Sequence, residues 1–189
     1  MPNRTPTDPA RRWHRLFGLL LTDFLRDSPY TVELEKDLSH RQQLLDVVIV
    51  RRGEGAMSRA MPDGLQELAN HNLISFKSFW EPFDDWTLKE LTGHYVNYRK
   101  QASQSRQELL PEGEFRLFGI CARRPQQLLQ VIAHEKVQEG VYDCRRGTDV
   151  IRLIVARDLP KKEENSLLHL FSAAQEQVKY GEEHYQLPS

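Results

Sequence analysis

Three observations predict an α/β fold with a mixed central sheet. Segments of helical and of strand periodicity follow one another in the order α-β-β-β-α-β-α-β-β-α. One strand segment, Leu44 to Val50, is a short, nearly continuous apolar run of the sort found in a strand covered on both faces. The chain has 189 residues, 39% of them apolar, which suffices for one domain with a real core.

Residues 1–9 read as a flexible lead-in. Over 10–27, Trp13, Leu16, Phe17, Leu20, Leu21, Phe24 and Leu25 fall at helical spacing, and Ser28-Pro29 ends the helix because the residue before a proline is pushed out of the α region. Tyr30, Val32 and Leu34 alternate with Thr31, Glu33 and Glu35, the pattern of a half-buried strand. A polar connection, 37–43, leads into the apolar strand, and 51–66, with its glycines and Pro62, reads as a loop. Asn72 to Ser78 is another short, mostly apolar strand. Pro82 precedes a long helix from Asp84 to Ser103 whose stripe is Leu88, Leu91, Tyr95 and Tyr98. Residues 114–122 form a strand, and Pro125 opens a short helix over 125–133. Residues 141–145 and 149–157 make a hairpin about Arg146-Gly147-Thr148, 163–174 is a last helix, and 175–189 a polar tail. Residues 10–174 thus make one domain, with a four-stranded sheet core and a C-terminal hairpin and helix added to it.

Charge and composition narrow the function. The net charge is −1, which excludes a strongly basic nucleic-acid binder. Arginine supplies 18 of the 26 cations, and its planar fork suits phosphate. Cys121 and Cys144 lie far apart with no Cys-x-x-Cys, which argues against a disulfide scaffold and a structural zinc knuckle and fits a reducing cytosol. No apolar run approaches membrane length and Met1–Arg12 has no hydrophobic signal core, so a cytoplasmic location is expected.

Two charges interrupt apolar strands. Asp46 stands between Leu45 and Val47, and a buried carboxylate needs a cation, a metal or several donors. Lys77 alternates with Ser75 and Leu73, so Ser75 and Lys77 project from one face while Ile74 and Phe76 take the other. If the two strands are neighbours, Asp46 and Lys77 meet. On the following helix Thr87, Glu90, His94 and Tyr98 form one row at the edge of the apolar stripe, from which a carboxylate can face that site. Two carboxylates and a main-chain carbonyl suit a hard, oxygen-preferring cation such as Mg²⁺, and a lysine beside them can orient or deprotonate an attacking water. The bland alternative is an ion pair tying two strands, with Glu90 solvated and Ser75 a small strand residue.

At these residues the chain resembles the PD-(D/E)XK nuclease superfamily, whose core is α-β-β-β-α-β with an Asp on the second strand and (Glu/Asp)-x-Lys on the third. Here those positions are Asp46 and Ser75-Phe76-Lys77. Within the superfamily, His71-Asn72-Leu73-Ile74-Ser75-Phe76-Lys77-Ser78 and Gly93-His94-Tyr95-Val96-Asn97-Tyr98-Arg99-Lys100 look like the bacterial Rpn-type recombination-promoting nucleases, which include transposase-like proteins. The resemblance covers about residues 10–122. It implies a three-layer α/β/α restriction-endonuclease-like core and metal-dependent hydrolysis of DNA, with RNA left open and a homodimer among the admissible assemblies. The serine departs from the pattern. Some restriction endonucleases of this fold also carry Ser-x-Lys and take the missing Glu from the next helix. That points to Glu90, thirteen positions after Lys77, with Glu81 second.

The resemblance therefore implies Mg²⁺ or Mn²⁺ held by Asp46, Glu90 and the Phe76 carbonyl, with Lys77 positioning the attacking water. The other expectation is a nuclease fold that has lost activity and binds nucleic acid or a protein, which Ser75 and the near-neutral charge favour. Secondary candidates are Glu33, Glu35 and Asp23 as further acids, His94 and Tyr98 as phosphate contacts, and Tyr30, Trp80 and Trp86 as base-stacking aromatics. Arg51-Arg52, Arg123-Arg124 and Arg145-Arg146 are the candidate phosphate holders. For these the plainer expectation is packing or solvated surface.

Overall fold

The computed structural model describes residues 45–51, 53, 60–105 and 107–185, all within the compact unit that starts at Leu45. The predicted helix over 10–27 and strand over 30–35, with Asp23, Tyr30, Glu33 and Glu35, lie outside the described residues, as does Arg52.

The described residues form a mixed six-stranded sheet with helices packed on it, an α/β fold. The strands are β1 (Val47–Val50), β2 (His71–Lys77), β3 (Phe115–Cys121), β4 (His134–Gln138), β5 (Val141–Arg146) and β6 (Asp149–Val155). Their order across the sheet is β1-β2-β3-β6-β5-β4. β1 runs antiparallel to β2, β2 and β6 both run parallel to β3, and β5 and β4 continue antiparallel. The β5–β6 hairpin is therefore not an addition to a four-stranded core. Its second strand pairs with β3 and carries the sheet onward. Its turn is where the sequence puts it, with Gly147 at φ 60° in the left-handed region.

Helix α1 (Asp85–Ala102) makes the crossover between parallel β2 and β3. It starts where the sequence predicts because Asp84 caps it, accepting the Thr87 N–H at 2.9 Å. Its buried stripe of Leu88, Leu91 and Tyr95 packs on Leu73, Phe115, Leu117 and Leu153 of the sheet, joined by Leu128 of α2 (Gln126–Val131). On the other face Ile74, Phe118, Ile120 and Ile154 pack against Leu65, Leu159 and Leu168. Gly119 on β3 is required by packing: a Cβ there would run into the ring of buried Phe83.

Two elements differ from the sequence reading. The sequence reading assigned no element to residues 134–138. They form β4, an exposed strand at the edge of the sheet among the described residues, where charged side chains suit the position. The predicted helix over 163–174 breaks into a 3-10 turn (Glu163–Asn165) and one short helix, α3 (Ser166–His169), while the expected tail forms α4 (Gln175–His184). α4 is largely polar, and the residue it buries is small, Gly181, with Tyr180 meeting His169 and Gln177 donating to the Leu159 carbonyl beside it. A Cβ on Gly181 would lie 2.8 Å from the Ser166 carbonyl oxygen.

Candidate functional site

The carboxyl ends of β2, β3 and β6 lie together, since the three strands run parallel. In open α/β sheets this end is where the loops build binding sites. The antiparallel register Val47↔Ile74, continued one step, sets Asp46 opposite Ser75. There the Asp46 carboxylate accepts the Phe76 N–H at 2.8 Å and the Ser75 hydroxyl at 3.3 Å through the same oxygen, Oδ2. The chain bends at Asp46, and the carboxylate serves the N–H that a further β1 carbonyl would otherwise take. Because both ladder groups of one residue point to the same side, the Phe76 carbonyl also faces the β1 edge. The sequence reading expected Asp46 to be buried; it is exposed.

Lys77 ends β2 on the face of Leu73 and Ser75. Its side chain is 22% exposed, and its Nζ lies 3.9 Å from Oε1 of Glu81. Its carbonyl accepts the Ala122 N–H at 3.0 Å, tying the exits of β2 and β3. Glu81 is occupied locally: Oε2 accepts the Ser78 hydroxyl at 2.8 Å, and that bond, the Ser78 N–H and the nearby Lys77 ammonium hold its pKa below the usual carboxylate range. Glu90 is exposed on α1, at the margin of a stripe whose neighbouring row member Thr87 is buried. Among the described residues no hydrogen bond or ion pair joins Glu90 to Asp46, Ser75 or Lys77. The structure thus brings Asp46, Ser75, Phe76 and Lys77 into one short stretch of strand end and leaves Glu90 apart from their bonding.

The donor set at this edge is oxygen, which suits Mg²⁺ or Mn²⁺, and such ions take one or two protein carboxylates and keep several waters. Asp46 supplies one carboxylate and Phe76 a carbonyl. Among the described residues no group of three or more His, Cys, Asp or Glu is placed to hold a metal. Cys121, which ends β3, and Cys144 are buried and free, and burial pushes the Cys121 thiol well up and Cys144 to about 11.

The remaining candidates separate into packed and exposed groups. Tyr98 is a packing residue, its hydroxyl 3.1 Å from His71 Nδ1, with His71 stacked on Phe115. His94 is half-buried on the same helix. Arg51 is exposed with its Nε donating to the Gly53 carbonyl, and Arg145 is exposed. Arg146 pairs with Asp85 and Arg124 with Asp158. Trp80 and Trp86 are exposed and not packed in the core or its rim. Sequence reasoning did not pick out Phe79 and Phe171, also exposed, beside the exits of β2 and β3. The adjacent aromatics Phe79-Trp80 in a loop closed by Pro82 were the signal available.

At the other end of the sheet a cavity of about 210 Å³ opens by the starts of β3 and β6, lined among others by Tyr95, Arg116, Asp143, Asp149 and Arg152. Its inner charges serve each other. Arg152 holds Asp143 through two bonds, 2.8 and 3.0 Å, and reaches Glu67 at 3.2 Å. Among the described residues no helix is long and apolar enough to cross a membrane. No family model, curated protein or solved structure matches the chain.

Proposed function

We propose that this chain is a metal-dependent nuclease of the restriction-endonuclease-like fold, hydrolysing DNA phosphodiester bonds at the Asp46–Lys77 end of the sheet. The observation that carries the reading is the meeting of Asp46 with Ser75 and Phe76 on adjacent strands, exposed to solvent, with Lys77 two residues on and on the Ser75 face. The antiparallel β1–β2 pair followed by a crossover helix and parallel β3 agrees with the β-β-α-β part of the core that the resemblance implies.

In this mechanism Asp46, the Phe76 carbonyl and, from α1, Glu90 are the residues that would hold a divalent ion, which would supply Lewis-acid polarisation of the phosphoryl oxygen. Lys77, only partly exposed and anchored near Glu81, orients the attacking water and offsets charge on the scissile phosphate. Ser75 keeps the Asp46 carboxylate turned toward β2 by donating to it.

A second reading, a nucleic-acid-binding or protein-interaction module without catalysis, is favoured by the bonding of Asp46 Oδ2 to two donors and by the lack of a three-ligand group among the described residues. One assay divides the two. Pure protein is incubated with supercoiled and with single-stranded DNA in Mg²⁺ or Mn²⁺, beside Asp46→Ala and Lys77→Ala. The nuclease reading expects nicking by the wild type, lost in EDTA and lowered roughly 100-fold or more in each variant. Binding without nicking, unchanged by either substitution, overturns it in favour of the module.

A further inference from the structure

The loop from Ser78 to Asp84 leaves β2 next to Lys77 and carries two aromatic side chains that the fold does not bury. Trp80 is 85% exposed and Phe79 47%. Exposing that much aromatic surface is unfavourable in water unless a partner covers it. The loop is nevertheless anchored from beneath, for Phe83 is buried against Gly119 and the Glu81 carboxylate accepts from the Ser78 hydroxyl and N–H. The rings are thus held out from a fixed base.

Their neighbours are planar and cationic. Phe79 and Trp80 meet edge to face with centroids 5.0 Å apart, and the Arg123 guanidinium lies 5.9 Å from the Phe79 centroid. Arg123 is exposed, and among the described residues it makes no ion pair, unlike Arg124, which faces Asp158. A third exposed ring, Phe171, meets Phe76 of β2 at 5.6 Å; its segment is bound to the exit of β3 by the Ala173 N–H on the Ala122 carbonyl. Phe76 is also the residue whose N–H Asp46 accepts. The loop with the two rings thus begins at the strand end that carries Lys77, and the Arg123 guanidinium beside Phe79 makes no ion pair among the described residues.

We infer that Trp80, Phe79 and Arg123 form a binding platform for nucleic acid with unpaired bases: a single strand, an overhang or a flap. The inference rests on the nucleic-acid reading above and adds the substrate class. A ring standing out from a loop can stack only on a base with a free face, and in a duplex interior both faces of each base are covered. Single strands offer every face, and stacking tolerates any sequence. Arg123 supplies the cation for the adjoining phosphate or the plane for a second base. One or two cations suffice for such a contact, which agrees with a chain of net charge −1 where an extensive duplex footprint would not.

The test is fluorescence anisotropy with a labelled oligothymidylate of about twenty nucleotides and a duplex of equal length, in EDTA so that nothing is cut. The single strand is expected to bind roughly tenfold or more tightly than the duplex. Trp80→Ala should lose roughly tenfold, Trp80→Phe should recover most of it, and Arg123→Ala should weaken binding and flatten its salt dependence. Since Trp80 is almost wholly in solvent, an unchanged thermal melt confirms that the variant folds. Equal affinity for the two probes, or single-strand binding indifferent to Trp80→Ala, overturns the inference. So does a Trp80→Ala effect seen only as loss of self-association in sedimentation, which would assign the rings to a protein contact. The nuclease reading fails separately: single-strand preference without metal-dependent nicking sinks the hydrolase and leaves the platform, whereas nicking with equal binding of duplex does the reverse. No binding to either probe overturns the platform, and the nuclease reading still stands or falls by nicking in Mg²⁺ or Mn²⁺.

Discussion

Asp63 and Asp46 are both aspartates pressed against other elements of the fold, and their surroundings are opposite. Asp63 is 4% exposed, and its carboxylate accepts from the Asn165 amide at 2.8 Å, the Lys162 ammonium at 3.2 Å and the Gln66 amide at 3.1 Å. Its own N–H donates back to Asn165 Oδ1 at 2.8 Å, so the two residues close a reciprocal pair across 102 positions of sequence. Asp46 is exposed and its bonding runs through one oxygen. Asp63 fastens the Pro62–Leu65 turn to the start of α3 and has no freedom to do anything else. Asp46 costs the fold little and stands in reach of an outside ligand. A carboxylate enclosed by donors is structural, whereas one at an open strand end is available for chemistry.

The largest effect that would break the comparison is on the buried side. Asn165→Ala removes the amide from a buried carboxylate and leaves the Asp63 N–H without its acceptor. An expected loss of about 2–4 kcal/mol, read as a lower urea midpoint at unchanged m-value, follows from stranding charged and polar groups out of water. A loss below about 0.5 kcal/mol would show that water reaches this pair and that Asp63 differs little from Asp46.

The same contrast explains what the sequence made legible. The strand run ending at Val50, the strand ending at Lys77, the capped helix after Asp84 and the hairpin about Gly147 all follow from local signals: apolar runs, alternation, a capping aspartate and a turn glycine. The sequence expected Asp46 and Lys77 to meet if their strands were neighbours; the strands do pair, but Asp46 bonds Ser75 and Phe76, and among the described residues the ion pair of Lys77 is with Glu81. Asp63 was invisible, since its stretch reads as an ordinary Pro-Asp-Gly turn and its partners lie about a hundred residues away. Asn165 and His169 were absorbed into a predicted helix that the structure interrupts, both being turned inward onto the Pro160 carbonyl. The polar edge strand β4 and helix α4 carry too little apolar pattern to announce themselves. Asp46 was expected to be buried because its neighbours are apolar, but the strand begins one residue later, at Val47, and the chain bends there.

A pH series sharpens the buried side with a smaller effect. His169 is fully buried, its Nε2 donates to the Pro160 carbonyl at 3.1 Å, and its Nδ1 has no partner among the described residues. Burial lowers its pKa below the ordinary 6.5, so the unfolded chain takes up the proton first. Its contribution is complete above 6.5 and declines as pH falls through that value toward the folded one. Asp63 adds a second limb. Burial pushes its pKa up, but Asn165, Lys162 and Gln66 together hold it below 3.8, so its stabilisation is present above 3.8 and lost as pH falls through the folded value. Urea midpoints should therefore begin to fall below about pH 6.5. His169→Gln, which keeps a donor for the Pro160 carbonyl, should flatten that first limb and leave the more acidic one. An identical profile in the variant would remove His169 as its source.

The smallest stability effect, and the most discriminating, belongs to Asp46→Asn. The amide oxygen still accepts from the Phe76 N–H and the Ser75 hydroxyl, and both bonds are exposed, so water competes for them in any case. Stability should shift by less than about 0.5 kcal/mol. What the substitution removes is the negative charge, and a divalent ion depends on that charge where a strand-end hydrogen bond does not. Metal-dependent nicking should fall as far as in Asp46→Ala while the urea midpoint stays at the wild-type value. A variant that unfolds as readily as Asn165→Ala would make Asp46 a second structural aspartate. One that nicks DNA at the wild-type rate would leave its carboxylate with no task beyond holding the end of β2.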